Sequence, residues 1–252
     1  MRIGVIACDM IRRELDRLIA EDPDITEVVY LEAALHVYPE KMKAAILEQV
    51  EMLGEQVDAI FLGYGYCQSL KGIEALTSVP VVLPQYDDCI SILLTPERYA
   101  AELKAEVGTW FMTPGWAEVG AEMVIKELKL DRAIRYGKDP MALAKRLFTH
   151  YRRGLFVDTG VGDPEEFASY ARQFCDDFDL HYEESTAADS GILAEELARC
   201  KRLACSKTTI PPARGGRAES SEDTCREAPA ASRRPGGPSA AAASLRLRTS
   251  ER

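Results

Sequence analysis

A chain of 252 residues with 46% hydrophobic side chains can form one large domain or two small ones, each with an adequate core. Its formal net charge of −10 argues against general affinity for nucleic acid or anionic membrane, and no stretch is long and apolar enough to cross a bilayer. The seven cysteines are an odd number, and Met1-Arg2 leads directly into a short apolar run without a secretory leader. A cytoplasmic chain with reduced thiols is expected, where grouped cysteines serve metal binding or catalysis rather than disulfides.

The predicted elements alternate regularly. Arg2 to Ala7 reads as a strand running into Cys8, and Asp9 can cap a helix with Met10, Leu15, Leu18 and Ile19 on its apolar stripe. A strand from Val28 leads to His36, after which Pro39 opens a helix carrying Met42, Ile46, Val50 and Leu53. Ala59 to Tyr66 is the third strand and runs into Cys67; a shorter helix with Leu70, Ile73 and Leu76 follows. Val81-Val-Leu-Pro precedes Cys89, and Pro96 to Val107 reads as a helix. Thr109 to Thr113 is then a strand, with helices over Trp116 to Leu130 and Pro140 to Tyr151. A strand from Gly154, a helix from Asp163 to Phe178, a strand near Leu180 to Tyr182 and a helix from Asp189 to Cys200 complete the pattern.

Apolar strands with helical crossovers predict an α/β fold with a mostly parallel, doubly wound sheet. Two Rossmann-like lobes and a single sheet both fit, with residues 1–108 as a first half and 109–200 as a second. From Lys201 onward the composition changes to Arg, Ala, Ser, Pro and Gly, with 11 basic against 5 acidic residues, and the preceding 200 residues carry −16. Such a tail, residues 201–252, cannot bury enough apolar surface to fold and is expected to be disordered. Out-of-frame translation of a GC-rich gene accounts for it better than a functional basic arm.

Cys8, His36, Cys67 and Cys89 each follow a strand, on the edge where open parallel sheets bind ligands. Thiolate and imidazole donors suit zinc, and thiolates also suit an iron–sulfur cluster, so these four are the candidate metal ligands. His36 and Cys67 are also the candidate catalytic groups. The dispersed spacing contains no CxxC, and the competing reading is scattered core cysteines. Gly63-Tyr64-Gly65-Tyr66 is the candidate ligand-binding string, because glycines at a strand end admit close approach and tyrosines stack or hydrogen-bond. A tight turn with packed tyrosines explains the same string. Thr113-Pro-Gly-Trp116 ends one strand and opens a helix, with Trp116 better read as core. Asp9, Asp87 and Asp88 beside the cysteines serve equally well as ligands or loop caps.

The chain resembles the uncharacterised domain-of-unknown-function family 1638. The resemblance rests on Ile6-Ala-Cys8 with Arg13-Glu14-Leu15, Ala34-Leu-His36 with Pro39-Glu40, and Gly63-Tyr-Gly-Tyr-Cys67. Pro84 leading to Asp88-Cys89 and Phe111-Met-Thr-Pro-Gly-Trp116 extend it. Many members have Gly after the Cys67 position, whereas Gln68-Ser69 here is similar to a subgroup encoded beside corrinoid-dependent methyltransferases. That resemblance implies an anaerobic one-carbon setting, an indirect link to corrinoid, and a methyltransferase or corrinoid protein as partner.

The expected function is therefore a cytosolic metal-binding protein, enzyme or accessory factor, in corrinoid-dependent methyl transfer, acting on a small molecule. Zinc or an iron–sulfur centre would sit on Cys8, Cys67 and Cys89, with His36 as fourth ligand or acid/base. Two alternatives stay open. One is a metal-free cysteine enzyme of racemase type, which needs a thiol from each half. The other is a non-enzymatic small-ligand partner of a methyltransferase.

Overall fold

The computed structural model describes residues 1–66, 68–186 and 188–208. The first half contains β1 (Ile3–Cys8), α1 (Arg12–Ile19), β2 (Ile25–Leu31), α2 (Pro39–Leu53), β3 (Ala59–Gly63), β4 (Val81–Val82), α3 (Cys89–Leu94) and α4 (Pro96–Ala105). The second contains β5 (Thr109–Met112), α5 (Pro114–Glu127), α6 (Pro140–Leu147), β6 (Arg153–Val157), α7 (Pro164–Phe178), β7 (His181–Ser185) and α8 (Gly191–Thr208). The fold is α/β, with two all-parallel sheets ordered β2-β1-β3-β4 and β5-β6-β7.

Burial follows strand position. β1 and β3 lie inside the first sheet and are buried along nearly their whole length, while β2 at its edge is half open. Ile11 and Leu15 pack on one face of this sheet, and Met42, Ile46 and Val50 of α2 on the other. Because β2 and β3 flank β1 and their crossovers take opposite faces, the chain reverses its winding at β1 and β3. The carboxyl ends of these two strands, the edge where open parallel sheets bind ligands, carry Cys8 and the Gly63 string.

In the second sheet, α5 covers one face through Ala117, Ala121 and Val124, together with Phe167, Phe174 and Phe178 of α7. Its other face, Leu155 and Val157 of β6, packs against Ile90 and Leu94 of α3 and Tyr99 of α4. Helix α3 thus bridges the two sheets, with Ile92 and Leu93 in the core of the first and Ile90 and Leu94 against the second. The last helix then returns to the first sheet: Leu193, Leu197, Cys200 and Ala204 of α8 join its core. Lys201 reaches Asp22 and Asp24 at 2.5 and 3.0 Å and fastens this helix to the turn before β2. The ordered helix therefore continues through Lys201 to Thr208, eight residues into the compositionally distinct segment. Residues 209–252, including Cys225 and the remainder of the proposed tail, lie outside the described residues.

Three elements differ from expectation. The helix expected after Cys67 is two 3-10 turns, Gln68–Leu70 and Ile73–Leu76, separated by Gly72 at φ 73°. A left-handed residue cannot continue a right-handed helix, and Leu76 is left 59% exposed. Helix α3 has no counterpart in the expected pattern: Asp88 and Ser91 form a reciprocal capping box that starts it at Cys89. Helix α5 begins at Pro114 and kinks at Gly120, whose φ of 56° and ψ of −160° interrupt the helical ladder.

Candidate functional site

Cys8 is the last residue of β1 and Cys89 the first of α3, and the fold brings them to one place. Each thiol lies within electrostatic reach of the other, and Tyr64, just past β3, lies within reach of both. Burial pushes the Cys8 thiol up to about 11 and Cys89 well above its ordinary range, the latter helped by the adjacent Asp88 charge. Burial also raises the Tyr64 phenol. No cation enters the causes of these shifts, so both thiols rest protonated and unreactive. Among the described residues no disulfide forms, and Cys8 and Cys89 are free.

Gly65 and Asp88 lock this corner together. A Cβ on Gly65 would lie 2.2 Å from the Asp88 Cα, and one on Gly63 would lie 2.5 Å from the Ala7 Cβ. The close approach that these glycines permit is thus to the chain itself, next to both thiols. Asp88 accepts the Ser91 N–H at 2.9 Å and the Tyr99 hydroxyl at 2.7 Å, which fixes the start of α3 and hence Cys89. Its role is a cap, and Asp9 pairs with Arg12 at 2.5 Å. Tyr66 donates its backbone N–H to the Tyr86 carbonyl at 2.6 Å and packs against the α2 side of the core. Cys67, expected as ligand and catalytic group, lies outside the described residues.

His36 sits on a 3-10 turn, Ala33–Val37, beyond β2. Its Nδ1 meets the Ala33 carbonyl, which selects the tautomer with the proton on Nδ1 and leaves Nε2 as an acceptor. One side of the ring is open to solvent, yet crowding by the chain holds its pKa below the ordinary value, so it stands neutral. The ring meets Trp116 of the second half edge-on, with centroids 5.4 Å apart. Among the described residues, no three His, Cys, Asp or Glu side chains gather as metal ligands do, so His36 does not close a ligand set with Cys8 and Cys89 alone.

The second half also borders the site. The first turn of α5 rests on the turn after Cys8: a Cβ on Gly115 would lie 2.5 Å from the Met10 carbonyl oxygen. At the other end of α5, Glu127 lies within electrostatic reach of Cys8. It is 9% exposed, its Oε1 is buried without a hydrogen-bond partner, and burial alone raises its carboxyl to about 7. Glu14 on α1 is 1% exposed and within reach of Cys89. Its Oε1 accepts the Thr159 hydroxyl at 2.6 Å across the junction of the halves, while Oε2 has no partner. Arg17 donates to the Thr159 and Gly160 carbonyls at 2.9 and 2.6 Å, and Arg13 pairs with Glu118 at 2.8 Å.

Neither glutamate was singled out from sequence. The signal was their position: Glu14 lies three residues after Ile11, and Glu127 three after Val124, on the inward stripes of their helices. Thr159→Val should cost about 1–2 kcal/mol in urea denaturation, because it leaves both Glu14 oxygens unmatched in a buried setting. An unchanged midpoint would mean that the contact between the halves does not depend on this bond.

A thiol pair at a sheet's winding reversal, bordered by two buried carboxyls, can hold a soft metal ion or a small ligand. No curated protein and no solved structure matches the chain. A family model described as "Protein of unknown function (DUF1638)" matches residues 30–195, which span His36, Tyr64, Cys89, Trp116 and Glu127, and the chain belongs to that family.

Proposed function

We propose that the chain is a metal-binding protein, enzyme or accessory factor, in corrinoid-dependent methyl transfer, and that Cys8, Cys67 and Cys89 hold zinc or an iron–sulfur centre. The observation that carries this reading is that the half-buried Cys8 and Cys89 lie within electrostatic reach of each other near the carboxyl ends of β1 and β3. Two desolvated thiols are poor nucleophiles by themselves, whereas a soft divalent cation converts such thiols into thiolate ligands. Cys67 follows the Gly63–Tyr66 string in the sequence and would be the third ligand. His36 keeps Nε2 unprotonated, which suits a fourth ligand or a proton acceptor once the site is loaded. Bound zinc would lower the pKa of a substrate thiol, the preparation a sulfur needs before accepting a methyl group. The methyl-transfer setting comes from the resemblance of the Cys67-Gln68-Ser69 string to the methyltransferase-associated subgroup.

The racemase-type alternative needs a facing thiol from the second half. Cys175 is buried in α7, with its Sγ against Gly154 near the start of β6, while Cys200 and Cys205 ride on α8. None of them is at the Cys8 edge. Protein purified without oxygen should contain about one metal equivalent or one cluster per chain, and Cys67→Ala or Cys89→Ala should remove most of it. Less than about a tenth of an equivalent, unchanged by Cys67→Ala, would sink the proposal. Ligand-induced thermal stabilisation of such a metal-free protein, without turnover, would favour a binding partner instead.

A further inference from the structure

The second half carries a basic island on an acidic chain. Lys126, Lys129, Arg132, Arg135 and Lys138 recur every third residue, whereas the first 200 residues together carry −16. Residues Leu130–Tyr136 form a 3-10 helix between α5 and α6. Side chains three apart eclipse in such a helix, so Arg132 and Arg135 stand on one ridge. No residue of this helix is buried, and Ile134 and Tyr136 are 64% and 69% exposed beside the arginines. Lys126 pairs with Glu122, and Lys129 lies 5.0 Å over the Tyr38 ring. Arg132, Arg135 and Lys138 make no ion pair among the described residues; Arg135 only leans on the Tyr136 ring, at 4.8 Å.

The complement lies beside it. An open groove of about 380 Å³ between α5, α6 and α7 is lined by Ile125, Met141 and Phe174 and by the carboxylates of Glu118, Glu122 and Asp177. The groove includes the kink at Gly120, where an added Cβ would meet nothing within 4 Å. Glu118 is held by Arg13 and Glu122 by the exposed Lys126, but Asp177 accepts only the Gln173 amide, at 3.1 Å. The 3-10 helix packs on α5 and α6, so ridge and groove are neighbours.

We propose that this face is a self-association surface, on which the 130–138 ridge of one copy enters the groove of a second copy and its own groove receives the other ridge. A membrane or a nucleic acid presents an extended negative field, which the acidic remainder of the chain repels. A second copy offers a compact groove that is both acidic and apolar, matching the arginines and Ile134 with Tyr136 together. Because ridge and groove are neighbours, one two-fold axis seats both contacts, and association stops at a dimer. This inference does not draw on the thiols or on a metal.

Sedimentation velocity of the full chain from about 1 to about 100 μM should show monomer giving way to dimer, with association at least about tenfold weaker in high salt than in low. Two double reversals test the pairing. Arg132→Glu with Arg135→Glu makes the ridge acidic like its groove, and Glu122→Lys with Asp177→Lys makes the groove basic like its ridge. Each should keep the parent's circular dichroism and associate at least about a hundredfold more weakly. Mixed in equal amounts they should dimerise again, since every ridge then meets a groove of opposite sign. Ile134→Ser, which leaves all charges in place, should weaken the parent dimer at least about tenfold. A parent that stays monomeric would overturn the proposal, as would reversals that still dimerise, a mixture that does not, or an Ile134→Ser dimer as tight as the parent's. A monomeric parent that sediments with phosphatidylserine vesicles or binds single-stranded RNA through Arg132 and Arg135 would assign the ridge to a polyanion instead.

Discussion

Gly65→Ala should destabilise the protein by about 3 kcal/mol or more and disturb Cys89 with it. The new Cβ would fall 2.2, 2.5 and 2.8 Å from the Cα, C and N of Asp88. All three are backbone atoms, so no side-chain rotation relieves the overlap. Nor is Asp88 free to retreat, because the Ser91 N–H and the Tyr99 hydroxyl hold its carboxylate and Ser91 Oγ accepts its own N–H at 3.2 Å. The chain before it is tied as well, through the Tyr66 N–H to the Tyr86 carbonyl. Relief must come from moving the start of α3, and Cys89 is its first residue. Urea denaturation and metal content should therefore fall together. A variant as stable as the parent, with its metal retained, would show that this contact is slack and that Gly65 does not position Cys89.

Both halves of the chain border the site. β1 and β3 deliver Cys8 and Tyr64 to one edge, and the capping box delivers Cys89 from the far side of the Gly65 turn. The first turn of α5 closes on Met10, and Trp116 closes on His36. The bond from Thr159 to Glu14 and the apolar cluster of Ile90, Leu94, Tyr99, Leu155 and Val157 hold the second sheet against the first. Helix α3, packed into the first sheet through Ile92 and Leu93 and against the second through Ile90 and Leu94, makes the halves resist opening.

β1, β3, β6 and α2 were legible because their burial is complete or one-sided, and that leaves a mark in the sequence. Met42, Ile46, Val50 and Leu53 are all buried, as their helical spacing requires. Leu70, Ile73 and Leu76 recur every third residue, a spacing compatible with both an α-helix and 3-10 turns, and Gly72 decided between them. The resting place of Cys8 was legible from its strand end. Its partnership with Cys89 depended on α3, a six-residue helix too short to show periodicity and visible only through Asp88 and Ser91. Glu14 and Glu127 escaped notice because single charged residues on an amphipathic helix ordinarily face solvent. Only their phase relative to Ile11 and Val124 marks them as inward.

Glu127→Gln should make the metal-free protein more stable at pH 8 than its parent, by about 3 kcal/mol, and leave the two alike near pH 4.5. The folded-state carboxyl titrates at about 7 because of burial, against an ordinary value of 4.5. Between those values the native state binds the proton more tightly than the unfolded chain does. The stability that protonation contributes is thus complete below the ordinary value, declines as pH rises, and is gone above about 7. Glutamine keeps the shape and never ionises, so it removes this slope and nothing else that titrates. Urea denaturation of parent and variant across this range, after metal removal, isolates the contribution, because other groups cancel in the difference. Parallel curves would mean that the Glu127 carboxyl is solvated in solution.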